Sequence, residues 1–236
     1  MKNLLIIAAL TLAAGALPQR AWADDDQPEV DPKMIVTGDD YEAEELTEYS
    51  GNAPMTAQFQ ANPSNLGDWT GYYEWRFTES GAEEPFLIRY DQDTEYTFLE
   101  SGDYSVELIA TFVLNGDTIE YEMDSPFTIG ISESVLDFPN AFTPNGDGIN
   151  DVFKAKDGYQ SIVEFKACII TRWGKKVCEW TDPADGWDGK IGGKDAPVGG
   201  YYLNAWAKGA DGRTYKFKRV INLLRNYDET SSSAIE

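Results

Sequence analysis

Residues 104–114 read YSVELIATFVL, with Tyr104, Val106, Leu108, Ala110, Phe112 and Leu114 recurring at every second position. Alternate side chains of a strand point to opposite faces, so a period of two sustained over eleven residues predicts one long strand buried on one side. Working outward, Ala57, Phe59 and Ala61 alternate, as do Tyr73, Trp75 and Phe77, with Glu74, Arg76, Ser105 and Glu107 on the other face. Turn signals separate these runs: Asn62-Pro63, Ser101-Gly102-Asp103 and Asn115-Gly116-Asp117, the last with the Asn-Gly pair of a tight hairpin. No long helical pattern intervenes. The expected class is all-β, two β-sandwich domains in tandem.

The second half continues in the same style. Strands are expected at residues 162–171, 176–180, 201–208 and 214–224, the last two joined by a turn at Ala210-Asp211-Gly212-Arg213. At the N-terminus, Lys2 precedes an apolar run from Leu4 to Ala14 and the small-x-small triplet Ala21-Trp22-Ala23, which reads as an export signal over residues 1–23. That run is too short to span a bilayer, and no later segment could cross as a helix, so no transmembrane helix is expected in the mature chain. Residues 24–49 are acidic and poor in aromatics and are expected to be flexible, with only Met34, Ile35 and Val36 as an edge-strand candidate. Residues 50–131 and 132–225 are the two expected domains, and 226–236 a flexible tail.

Charge divides the chain. Residues 24–131 carry 26 acids against three bases, and residues 132–236 carry 15 acids against 14 bases. A polyanion such as nucleic acid needs basic patches, so the first half is not a nucleic-acid binder. The chain has no histidine, which removes the commonest general base, the usual nucleophile dyads and all histidine-bearing metal sites. The expectation is a protein without enzymatic activity.

Three features remain as candidates. In AFTPNGDGIND (141–151), Asn145, Asp147 and Asp151 have a spacing that suits a short calcium loop, with calcium the one cofactor considered. The same residues suit a turn in which Asn and Asp bond their own backbone. Cys168 and Cys178 flank a hairpin whose turn, if centred on Arg172, Trp173 and Gly174, sets them directly opposite each other; a disulfide and two small packed thiols are both open. Tyr72, Tyr73, Trp75, Tyr201, Tyr202 and Trp206 are candidates for sugar stacking or, better, for the core.

FPNAFTPNGDGINDVF, ITRWGKKV, GWDGKIGGKDAPVGGYY and DGRTYKFKRVINLLR, in that order between Asp137 and Arg225, resemble the gliding motility-associated, or type B, C-terminal sorting domain of the type IX secretion system. The resemblance implies an Ig-like sandwich that takes an exported protein from the periplasm across the outer membrane. It also implies two partners, the secretion machinery and a PorP-like outer-membrane protein that holds the domain at the cell surface. Tyr73-Glu74-Trp75-Arg76-Phe77 and EYTFLESGDYSVEL are similar to PKD domains, although the Gly-Asp-Gly that usually follows the first motif is missing. The brevity of the first module is similar to that of small type B proteins of the PorA kind, which implies a relay of envelope status; an adhesin, a scaffold or a carbohydrate-binding module are the other readings. Cys168 and Cys178 are not usual in the family.

Overall fold

The computed structural model describes residues 27–37 and 43–225. The export signal (1–23) and the tail (226–236) expected from the sequence lie outside the described residues. Every described element is a strand or a turn. The first sandwich contains β1 (Glu29–Val30), β2 (Lys33–Thr37), β3 (Ala43–Leu46), β4 (Glu48–Gly51), β5 (Met55–Gln60), β6 (Pro63–Ser64), β7 (Thr70–Glu79), β8 (Leu87–Arg89), β9 (Asp93–Phe98), β10 (Gly102–Leu114), β11 (Asp117–Glu122) and β12 (Phe127–Ile131). The second contains β13 (Ala141–Phe142), β14 (Phe153–Lys154), β15 (Ile162–Ile170), β16 (Lys176–Trp180), β17 (Gly186–Trp187), β18 (Lys190–Ile191), β19 (Lys194–Asp195), β20 (Gly199–Gly209) and β21 (Thr214–Leu223).

The stretch that opened the sequence reading lies in β10, the longest strand. It pairs antiparallel with β7 along one edge, and its other edge is shared by β12 at the start and β11 at the end. Val106, Leu108, Ala110 and Phe112 are fully buried, and from β7 they meet Tyr73, Trp75 and Phe77. The opposing sheet runs β3-β2-β5-β9, and Phe59 of β5 closes the core edge-on against Phe77, with 5.3 Å between ring centroids. Asn115 and Gly116 both take positive φ, as the tight β10–β11 hairpin requires.

The described residues of the 24–49 segment, 27–37 and 43–49, depart from the expected flexible segment. Met34 and Val36 are buried, and β2 is an inner strand between β3 and β5 rather than an edge. β4 adds a parallel strand to β12. The local composition is acidic, but β2 itself carries no acid and Glu44, Glu45 and Glu48 of β3 and β4 stay exposed, so tertiary packing of Met34 and Val36 outweighs that composition. The first sandwich therefore includes these strands.

In the second sandwich a five-stranded sheet, β13-β21-β20-β15-β16, buries Ala167, Ile169, Leu203, Ala205, Ala207 and Ile221. The layer facing it is short, a two-stranded β14–β17 ladder that carries Phe153 and Trp187 and the segment with Phe138. Met34→Ala should lower unfolding free energy by about 2–5 kcal/mol, the usual cost of truncating a buried Met. Urea denaturation followed by tryptophan fluorescence measures it, and a change no larger than that of a surface substitution would place residue 34 outside the core.

Candidate functional site

The two sandwiches meet at a polar junction built from residues far apart in sequence. Ser134, fully buried, donates its hydroxyl to Asp211 Oδ1 (2.7 Å) and its amide to Asp211 Oδ2 (3.1 Å). Its carbonyl accepts from Tyr215 Oη (2.8 Å) and Arg213 Nη1 (3.1 Å). Gly209 makes this approach possible, since a Cβ there would collide with the Ser134 side chain. On the other side, buried Ser161 accepts from the Ala53 amide (3.1 Å), the Ala210 amide donates to the Ser161 carbonyl, and the Ser101 amide donates to the Ala210 carbonyl. Ala210 belongs by contact to the core of the first sandwich. Burial pushes the Asp211 carboxyl up, but the Ser134 hydroxyl, the amides of Arg213 and Ser134 and the Arg213 charge together hold it below its ordinary value.

At the far end of the second sandwich lies the loop with the candidate calcium ligands. Asp151 takes the amides of Gly146 (2.7 Å) and Gly148 (2.8 Å), one on each carboxylate oxygen. Asp147 accepts from the Ile149 amide (2.8 Å) and from Asn145 Nδ2 (2.8 Å), and Asn145 Oδ1 accepts from the Asp147 amide (3.1 Å). All five side-chain oxygens of these three residues accept from donors within the loop, as the turn reading requires. No cluster of three potential ligands of the His, Cys, Asp or Glu type occurs among the described residues. The Gly146 and Gly148 amides, in that order, pull the Asp151 carboxyl below its ordinary value.

Arg225 fixes this loop to the body of the domain. Its guanidinium donates to the carbonyls of Pro144 (2.7 Å) and Gly189 (2.8 Å) and lies 3.5 Å from Asp195. Sequence reasoning passed over Arg225 and Ser134, because each acts on a carbonyl or side chain that only the fold brings near; the signal within reach was an arginine and a serine of polar type at the margins of apolar runs.

Of the two readings left open for Cys168 and Cys178, the structure has both thiols free. The hairpin starts in the expected register, with Ile170 opposite Lys176, but a bulge at Val177 then slips it by one residue. Cys178 faces Ile169 on the core side, whereas Cys168 faces Glu179 on the outer side. A one-residue slip reverses the face of every residue beyond it. Burial also pushes the Cys178 thiol up. The six aromatic candidates divide: Tyr73, Trp75 and Tyr201 are buried, while Tyr72, Tyr202 and Trp206 are exposed.

Comparison with known proteins bears on the second sandwich. Residues 136–222 match the CHU_C type IX secretion signal domain. The matched domain implies involvement of the type IX secretion machinery and export to the cell surface or secretion. No curated protein matches the chain. Similar solved structures include the FN1–FN3 domains of chicken CNTN1, at 11% identity, TM-score 0.30, and 72% of this chain on 62% of that one. Dimeric latent PorU from Porphyromonas gingivalis is similar at 12% identity, TM-score 0.26, over 90% and 22% of the two chains. The Bacteroides ovatus mixed-linkage glucan utilization locus protein SGBP-B, solved in complex with a mixed-linkage heptasaccharide, is similar at 13% identity, TM-score 0.24, over 75% and 42%. The chain thus spans less than two thirds of the length of each. Among the described residues no helix is long and apolar enough to cross a membrane.

Asp151→Asn should lower the melting temperature at neutral pH, and added calcium should leave the parent's melting unchanged. The folded carboxyl titrates below its unfolded value, so its stabilisation is complete above the ordinary carboxylate range and fades as pH falls through the folded value. Calorimetry should therefore show the two proteins converging in acid; a calcium-induced rise in the parent alone would restore the cation site. Asp211→Ala strands the Ser134 hydroxyl and amide and should cost about 1–3 kcal/mol. Urea denaturation measures it, and an unshifted midpoint would show that the Ser134–Asp211 bonds do not secure the connecting segment.

Proposed function

We propose that this chain is a non-enzymatic surface protein of the type IX secretion pathway, routed and held by its second sandwich. A PorP-like outer-membrane protein is the proposed holder. In this reading the chain serves the pathway itself, as PorA-type proteins do, by relaying the state of the envelope to regulators of secretion. The observation that carries the reading is the matched secretion signal domain, bonded to a small sandwich through Ala53–Ser161 and Ser101–Ala210. A load or partner on one sandwich would be felt by the other, since the junction's bonds are buried and shared.

A second reading, a surface adhesin or carbohydrate-binding module, draws on Tyr202 and Trp206, which are exposed on the same face of β20. Gene deletion separates the two. The relay predicts altered secretion of other cargo and altered expression of secretion genes, and unchanged values of both would leave the adhesin. Surface display is tested by protease shaving of intact cells. The protein should be degraded while a periplasmic marker survives, and a chain that stays protected until the outer membrane is opened would overturn the assignment.

A further inference from the structure

The two outward sheet faces carry opposite charges in the same pattern. On the second sandwich, β15, β20 and β21 place Lys166, Trp206 and Lys216 side by side in one row. The neighbouring rows hold Cys168, Asn204 and Lys218, then Ile170, Tyr202 and Val220. Tyr202 is 46% exposed and Val220 50%, so apolar surface continues along the face. The acids here, Glu164 and Glu179, are engaged by Lys208, Lys166 and Lys176. Lys216 and Lys218 form no ion pair among the described residues.

On the first sandwich, β7, β10 and β11 place Glu74, Ile109 and Glu122 in one row. The next row holds Tyr72, Thr111 and Glu120, with Tyr72 61% exposed, and Glu107 follows on the other side beside Arg76. Each central row is charge, apolar, charge across three adjacent strands; one outer charge of each is paired within its own face, Lys166 with Glu179 (3.4 Å) and Glu74 with Arg76 (2.6 Å), which leaves Lys216 and Glu122 to a partner. The strand spacing sets the outer charges about 10 Å apart in both. Such a match in sign, spacing and apolar centre is what a sheet-on-sheet contact requires.

We propose that the basic face of β15, β20 and β21 is the docking surface for the acidic face of β7, β10 and β11 in a second copy of this chain. The two patches differ, so the contact is head-to-tail and leaves one face free at each end. Growth is therefore open-ended, or closes only in a ring. The net charge of −22 opposes association at long range, and salt screens that repulsion as well as the pairing. The apolar centres, Trp206 and Ile109, supply the part of the contact that salt leaves intact.

The test uses the purified protein and two neutralised variants, Lys216→Gln with Lys218→Gln and Glu120→Gln with Glu122→Gln. All four residues are exposed and far from either core. In sedimentation velocity the parent should grow in mass with concentration, and each variant alone should associate at least about tenfold more weakly, the loss of about 1.4 kcal/mol. Mixed, the two variants should regain the parent's affinity as a 1:1 pair that grows no further, because only one intact face of each kind remains. That rescue also excludes misfolding as the cause. A parent that stays monomeric over the whole range, or variants that associate as the parent does, would overturn the proposal. So would a monomeric parent retained by phosphatidylglycerol vesicles or by glycans through Lys216 and Lys218, which would assign the basic face to a different occupant.

Discussion

Register is the constraint on which the rest of this structure depends. β10 carries partners on both edges, and every buried side chain in it faces inward only because the pairing with β7 is held at one value over ten residue pairs. A displacement by one would expose Val106, Leu108, Ala110 and Phe112 together and bury Glu107. The aromatic contacts between Phe59, Trp75 and Phe77 then follow as consequences, since those rings can meet only if β5 and β7 hold their own registers. Hydrophobic burial supplies the energy, and the two-residue period decides where it is spent.

The same constraint explains what could be read in advance. Strands with clean alternation, such as β10, β20 and β21, were legible because their period is written residue by residue. The start of the first sandwich was not, because its short apolar runs stand among many acids, and only the pairing of Met34 between Leu46 of β3 and Phe59 of β5 shows that β2 belongs to the core. Cys168 and Cys178 were placed opposite each other by counting back from the turn. A bulge is a local choice of backbone that residue counting does not see, and Val177 makes it.

At the candidate site the sequence named the right residues for a more modest purpose. Asn145, Asp147 and Asp151 do converge, yet they converge on amides of their own loop, so the motif is a device for shape. Its rigidity is then handed on through Arg225, which bonds the loop and the turn at Gly189 at once. Ionic chemistry in this domain is spent on holding the lead-in segment in place. The residues that join the two sandwiches were invisible for a different reason: Ala53 and Ser161 are 108 positions apart, and nothing local marks either as the partner of the other.

Ala210 sits in the core of the first sandwich while belonging, by chain order, to the hairpin between β20 and β21. The second half therefore finishes the interior of the first. A protease that nicked the connecting segment near residues 132–135 would break covalent continuity without parting the halves, because the Ala210 plug and the bonds of Ser101, Ser161 and Ala53 would still clasp them. The passenger would travel on with its address label by adhesion alone, and shedding it would take force or unfolding in addition to a cut.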